Sequence, residues 1–167
     1  MKTMRLLLLV GVVGLLVGGQ VVAQNQKNKG KKVTAKQLSK DIMVVLENAQ
    51  SIEFYSLDPH VKKKVKDGFS GYPILGKVTL KNKARKTVLE AVLKGIKKGQ
   101  PGAKCFIPRH GIRAKHGDDV VELVICFQCS WVYSYLNGKQ NNTVTIHESS
   151  APALNTVLKK ENIKVAK

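Results

Sequence analysis

Apolar residues recur at helical spacing in three stretches of the chain. The stripe in residues 35–49 consists of Leu38, Ile42, Val45, Leu46 and Ala49. The stripe in residues 82–97 consists of Ala84, Val88, Leu89, Val92, Leu93 and Ile96. Each stripe predicts an amphipathic helix that buries one side, with Thr34 and Asn82 as the N-caps. A third helix is predicted over 151–161, with Ser150 as N-cap and Pro152 in its first turn.

Shorter apolar runs between these helices predict strands. Two are expected at 52–57 and 75–80, separated by a lysine-rich loop that follows Asp58-Pro59. Beyond residue 105 the pattern favours two hairpins. Their turns are Gly117-Asp118 and Asn137-Gly138, which suit two-residue loops.

The first turn sets Arg113 opposite Glu122, and this opposite-charge pair supports the register. Alternation then predicts a core face and a more polar face. The core face holds Phe106, His110, Ile112, Ala114, Val121, Leu123, Ile125, Phe127, Cys129 and Trp131. The polar face holds Cys105, Arg109, Arg113, Glu122, Val124, Cys126 and Gln128.

In the second hairpin Trp131, Tyr133 and Tyr135 share one face. This stripe favours core packing under a helix, and a carbohydrate platform is the alternative. Taken together, the elements predict an α+β fold. We expect an antiparallel sheet of about five to six strands with two or three helices packed on one face.

The amino terminus has the pattern of a secretory leader. Lys2 and Arg5 precede a mainly apolar run, and Val21-Val22-Ala23 supplies small residues for cleavage before Gln24. The run is short for a membrane anchor. We therefore expect a signal peptide at 1–23, a disordered basic linker at 24–33 and a single domain at 34–167. The protein is then secreted or periplasmic, with no transmembrane span after cleavage.

The formal net charge of +18 favours anionic partners. Export argues against intracellular nucleic acid, so the sequence predicts no specific nucleic-acid partner. The expected partner is an anionic envelope component or another protein. The charge alone also fits a solvated basic surface.

Three cysteines leave one without a partner, and Cys105–Cys129 is the plausible disulfide because the two are nearly opposite in the hairpin. A metal site is the second interpretation. Cys105, His110, Cys126 and Cys129 are ligand types that suit zinc or copper. The third interpretation is a reactive thiol, with Arg109 across from Cys126. A fourth interpretation is that the cysteines are buried and unreactive. The preferred interpretation, a disulfide, requires no cofactor.

Arg109 and Arg113 share the polar face and form a candidate anion site, since arginine forks suit carboxylate or phosphate. The alternative is that Arg113 pairs with Glu122, His110 packs in the core and Arg109 is solvated. No catalytic set is recognisable. We therefore expect a non-enzymatic binding or structural protein, with a thiol or metal-binding protein as the alternative.

Several segments of this chain resemble segments of a family of exported bacterial proteins, notably from planctomycete-like genomes. They are FYSLDP at 54–59, GYPILGK at 71–77, CFIPRHGIRA at 105–114 and LVICFQC at 123–129. The resemblance implies export and no particular activity. A larger set is similar in the ICFxC segment and often has His after the second Cys, where this chain has Ser130.

Overall fold

The computed structural model describes residues 37–61 and 63–167. The predicted signal peptide, the linker and the Thr34 cap lie outside these residues. Within them, no helix combines the length and apolar character needed to cross a membrane.

The described residues form three α-helices and six strands. The helices are α1 (Lys40–Asn48), α2 (Asn82–Lys98) and α3 (Ala151–Lys160). The strands are β1 (Ser51–Leu57), β2 (Ile74–Thr79), β3 (His110–His116), β4 (Asp119–Cys126), β5 (Trp131–Leu136) and β6 (Lys139–Thr145). A short 3₁₀ turn, Glu148–Ser150, leads into α3.

The strands form one antiparallel sheet in the order β2-β1-β3-β4-β5-β6. The predicted α+β fold is confirmed. The predicted hairpin register is also confirmed, because Arg113 pairs with Glu122 and His116 with Asp119. Gly117, Asn137 and Gly138 all have positive φ, as these two-residue turns require.

All three helices pack on the same face of the sheet. The main core there is almost entirely aliphatic, and its sheet residues include Ile52, Phe54, Ile112, Leu123 and Ile125, all fully buried. The six residues predicted at the centre of the core face, from His110 to Ile125, are buried as expected. Each helix stripe therefore meets the side chains that the alternation of β3 and β4 points toward it.

The helix caps differ from the predictions. Helix α1 begins at Lys40, and the Ser39 hydroxyl accepts the N–H of Ile42 at 3.4 Å. Asn82 is the first residue of α2 rather than its cap, and Lys81 at the cap position makes no side-chain bond. Ser150 does occupy the predicted N-cap position of α3, but its side chain makes no capping bond, because the hydroxyl donates to the carbonyl of Ala91 at 2.7 Å. That bond ties the start of α3 to α2.

The opposite face of the sheet carries a second, aromatic cluster, here called the aromatic layer. Its members are Tyr55, Leu57, Phe69 and Val124, with Tyr72, Phe106, Tyr133 and Tyr135 packed against them. The loop between β1 and β2 covers part of this face. Phe69 of that loop is fully buried, and its ring centroid lies 4.5 Å from that of Tyr55.

Two predicted face assignments are wrong. Phe106 and the Trp131–Tyr135 stripe do not pack under a helix: Phe106, Tyr133 and Tyr135 belong to the aromatic layer, and Trp131 pairs with Cys126 on the same side. The reason is local. Strand β4 ends at Cys126, and residues 127–130 form a turn, so strict alternation does not continue into β5. Phe106 precedes the first residue of β3, in a segment without strand, so alternation does not apply to it either. Ser130 occupies the left-handed region there, with φ of 60°.

Candidate functional site

The stretch from Cys105 to Cys129 comes together at one end of the sheet, where β3 begins and β4 ends. Four segments meet there: the irregular segment 100–109, the turn 127–130, helix α3 and the carboxyl-terminal segment 163–167. The three cysteines and His110 are all found at this end. It is therefore the first place to look for chemistry.

The predicted disulfide is confirmed. Cys105 and Cys129 form the bond, with Cα atoms 5.6 Å apart. Two further contacts hold the same segments together. The backbone N–H of Ala103 donates to the carbonyl of Cys129 at 3.0 Å, and the indole N–H of Trp131 donates to the carbonyl of Ala103 at 2.7 Å. The disulfide thus fixes a segment that has no strand or helix of its own.

Cys126 is the remaining free cysteine among the described residues, and it is fully buried. Its sulfur accepts backbone N–H groups from Ile107 at 3.3 Å and from Cys129 at 3.2 Å. Burial raises the pKa of the Cys126 thiol; these hydrogen bonds and the charge of Arg109 lower it by less. Arg109 thus lowers the pKa of this thiol as predicted, but burial outweighs its charge and the net shift of the pKa is upward, so the thiol is not activated.

His110 lies on the helix side and is 3% exposed. Its ring stacks on Phe54, with centroids 5.9 Å apart, and meets Phe127 edge-on at 5.4 Å. Nε2 forms a hydrogen bond with the side-chain oxygen of Asn155 at 2.8 Å, whereas Nδ1 has no partner. Burial lowers the pKa of His110 to about 4, so the ring is neutral near pH 7. The predicted packing with one satisfied nitrogen is confirmed.

A small cavity of about 110 Å³ lies beside this ring. The polar residues around it are Arg109, Gln128 and Asn155. Arg109 is partly exposed and also held by two bonds: its Nε donates to the carbonyl of Lys167 at 2.9 Å and its Nη1 to the Gln128 side chain at 3.0 Å. The carboxyl-terminal segment is thereby fastened over this end of the sheet. The Ser56 hydroxyl adds a bond to the carbonyl of Lys164 at 2.6 Å.

The four proposed metal ligands are not brought together as one set. Cys105 and Cys129 are bonded to each other, while His110 points to the helix side and pairs with Asn155. Cys126 lies on the opposite face of the sheet, beside the aromatic layer. Across residues 37–61 and 63–167, no three or more His, Cys, Asp or Glu side chains are grouped in a way that suits a metal ion.

Arg109 and Arg113 are not free partners in one anion site either. Arg113 donates to Glu122 at 2.6 and 2.9 Å and to the Tyr55 hydroxyl at 3.1 Å, and it lies 3.9 Å from Glu53. Its charge is thus matched by two carboxylates. The two arginines are also four positions apart along extended chain, which separates their Cα atoms by roughly 13 Å.

The aromatic stripe contributes to packing on the face without helices. The ring of Phe106 stacks on Tyr133 with centroids 3.9 Å apart, and Tyr72 and Tyr135 are half-buried nearby. Phe106 therefore covers part of the Tyr133 ring that the alternative interpretation offered to a carbohydrate.

A basic surface lies on the outer side of α2. Five exposed lysines form it, here called the lysine ridge: Lys83, Lys86, Lys94, Lys97 and Lys98. The first four are spaced by three, eight and three positions, which places them on one side of the helix. Glu90 is the one acidic residue in α2, and it lies 3.8 Å from Lys86. The groove between α2 and α3, with a volume of about 350 Å³, adds Lys160 opposite Lys83.

The one-sided apolar stripe of 82–97 leaves the lysines of α2 on the other side of the helix, but the sequence did not reveal the partners of His110 and Arg109. Asn155, Gln128 and the carboxyl-terminal segment carry no motif that marks their roles. They meet His110 and Arg109 only through tertiary contacts.

Comparisons with protein-family models, with curated proteins and with solved structures gave no match.

Proposed function

We propose that the chain is a non-enzymatic, exported binding protein of the cell envelope, and that it holds an anionic polymer along the lysine ridge. The observation that carries this proposal is the concentration of exposed positive charge on α2, where five lysines face one carboxylate. The ridge runs from Lys83 to Lys97, a length of roughly 20 Å at about 1.5 Å per residue. A polymer with repeated negative charges matches that length better than a single small ion.

The geometry of α2 supports this assignment. The helix is anchored through Val88, Val92 and Ile96, which are buried, and Gly95 lies close against Ser150. The backbone of α2 therefore fixes the spacing of the lysines, although their side chains extend into solvent. Lysine side chains in solvent bind as mobile point charges, so we expect charge-dependent binding with little preference for polymer structure.

Export rests on the amino-terminal pattern and is consistent with the disulfide, since disulfides persist in oxidising compartments. It is tested by mass spectrometry of the amino-terminal peptide after expression in a bacterial host. A mature chain that begins at Gln24 in the periplasmic or culture fraction is expected. An intact Met1 peptide in the cytosolic fraction would contradict export.

The ridge is tested by a fivefold Lys→Gln variant of its members. Binding to a sulfated polysaccharide and to phosphatidylglycerol-containing vesicles is measured at low and high salt. We expect at least a tenfold loss of affinity for the variant, and weaker binding of the parent at high salt because salt screens exposed charges.

The matched control removes the same charge elsewhere. It replaces five exposed lysines outside the helices with Gln: Lys63, Lys66, Lys104, Lys115 and Lys139. We expect this control to lose less than threefold. Equal losses in the two variants would show that total charge alone attracts the polymer, and the ridge would have no special role. Retained binding in both would show that neither set of lysines forms the binding surface, and absence of binding by the parent at low salt would reject the function itself.

A further inference from the structure

We propose that Cys126 exchanges with the Cys105–Cys129 disulfide to form Cys126–Cys129, and that Cys105 then becomes a thiol that forms mixed disulfides with exogenous disulfide compounds. The inference is independent of the lysine ridge. It assigns a modification site to Cys105 and a resolving role to the buried thiol.

The position of the Cys126 sulfur is the first argument. It lies 3.2 Å from the backbone nitrogen of Cys129 and 3.3 Å from that of Ile107, two residues after Cys105. The free sulfur is therefore next to the backbone of one half of the disulfide and close to that of the other.

The turn at 127–130 is the second argument. A regular strand would point residues three apart to opposite faces, which would prevent Cys126 from reaching Cys129. Here the strand ends at Cys126, and the N–H of Ser130 bonds the carbonyl of Phe127 at 3.1 Å. For Cys126 and Cys129 themselves, the backbone N–H of Cys129 donates to the Cys126 sulfur at 3.2 Å, so the chain turns back far enough to bring these two residues together.

The exchange is balanced without an external oxidant. The Cys126 thiolate attacks the sulfur of Cys129, so the Cys126–Cys129 bond forms as the Cys129–Cys105 bond breaks. The electron pair leaves on Cys105, whose thiolate then takes a proton or attacks an exogenous disulfide RSSR. That second step forms Cys105–S–S–R and releases RS⁻. The reactant needed is thus a low-molecular-weight disulfide.

Exposure decides which sulfur meets that reactant. Cys126 and Cys129 are fully buried, whereas Cys105 is half-buried in a segment without strand or helix. After exchange, the new disulfide lies inside the fold and the new thiol lies near the surface.

Because burial raises the pKa of Cys126, the attacking thiolate is scarce near neutral pH. We therefore expect exchange to be slow at pH 7 and about tenfold faster for each added pH unit below that pKa.

The experiment uses the full chain, purified without reductant and incubated with glutathione disulfide at pH 7, 8 and 9. After an acid quench, trypsin cleaves at Lys104, Arg109, Lys115 and Lys139. Peptide 105–109 then holds Cys105, and peptide 116–139 holds both other cysteines. Before exchange the two peptides are linked. We expect them to separate, with glutathione on 105–109 and an internal disulfide in 116–139.

Glutathione on Cys126 with the peptides still linked would overturn the proposal. Linked, unmodified peptides after prolonged incubation at pH 9 would also overturn it. The exchange rate is measured in addition at low urea concentrations. A steep rise with urea would mean that exchange requires global unfolding, and the local geometry would then have no part in it.

Two variants separate the roles of the cysteines. Cys126→Ser leaves no free thiol, so we expect no glutathione on Cys105, and modification at the parental rate would reject the resolving role. Cys105→Ser leaves Cys126 and Cys129 as thiols. With glutathione disulfide we expect an internal Cys126–Cys129 disulfide in this variant. The mass of peptide 116–139 then falls by two hydrogens, and no stable glutathione adduct is found. Two separate glutathione adducts would show that the turn does not allow the bond.

Discussion

The face of the sheet under the helices and the opposite face differ in how they are covered. The first is covered by three regular helices that contribute aliphatic side chains. The second is covered by the irregular β1–β2 loop and by segment 100–109, and it consists of aromatic rings next to charged groups. Adjacent residues of β1 illustrate the contrast, because Phe54 faces the helices and Tyr55 faces the loop.

Polar groups mark the same difference. On the loop side the hydroxyl of Tyr55 donates to Glu53 at 2.5 Å, and Arg113 lies over the rings of Tyr55 and Phe69 at 5.4 and 5.3 Å. On the helix side the strands contribute the buried side chain of His110, which is neutral near pH 7. The helix face therefore depends on packing, whereas the loop face also depends on charge pairs that remain partly hydrated. The following variants test this contrast.

Phe54→Ala is expected to have the largest effect. Phe54 is fully buried among the strands and helices. Removing its ring leaves a cavity, and the surrounding helices and strands cannot move far enough to fill it. The free energy of unfolding should fall by about 3–5 kcal/mol in urea denaturation. Every probe of structure should report a single transition, because the helix face holds the whole domain. A loss under 1 kcal/mol would contradict this view of the core.

Acid should weaken the helix face through His110. Its pKa is about 4 in the fold and about 6.5 when unfolded, so between these values the unfolded chain binds a proton that the fold does not. The free energy of unfolding should therefore fall as pH drops from 6.5 to 4, by about 3 kcal/mol in total.

His110→Gln is the control for that titration, since Gln can still bond Asn155 but does not titrate. Its free energy of unfolding should be nearly flat between pH 6.5 and 5, whatever its absolute value. Parallel pH profiles for parent and variant would show that His110 does not cause the acid sensitivity.

Gly111→Ala tests how the loop is seated on the other face. A Cβ at Gly111 would lie 2.6 Å from the ring of Phe69, closer than side chains pack. We expect a loss of about 2 kcal/mol from overpacking, with faster hydrogen exchange in the β1–β2 loop. Combining Gly111→Ala with Phe69→Leu should recover part of the loss. An additive double variant would show that the ring and the glycine do not interact.

Glu122→Gln should have the smallest effect of the four. It removes the closest carboxylate from Arg113, but Arg113 remains one-third exposed and keeps Glu53 nearby. The expected loss of unfolding free energy is about 1 kcal/mol, and it should shrink at high salt. A loss above 3 kcal/mol would indicate a fully desolvated pair and would make the loop face more like the helix face.

The sequence predicted the helix face well because its signals are local. Stripes such as Ile42, Val45 and Leu46 follow helical spacing, and the Gly117 and Asn137-Gly138 turns fix two registers within a few residues. The loop face was predicted poorly because it joins distant residues. Phe69 carries no periodic signal, and the turn after Cys126 placed Tyr133 and Tyr135 on the loop side. The pairing of His110 with Asn155, 45 positions away, had no signal at all.

The two outermost strands of the sheet bear on how this chain behaves at high concentration. Within residues 37–61 and 63–167, no strand pairs with the outer side of β6, whose first residues are Lys139, Gln140, Asn141 and Asn142. Lysine and asparagine are poor partners for edge-to-edge addition, and a register shift between Tyr133 and Tyr135 bends the pairing there. Strand β2, the other edge, carries Lys77 and a register shift opposite its beginning. Both edges thus carry features that discourage amyloid-like stacking, which helps keep a six-stranded sheet dispersed.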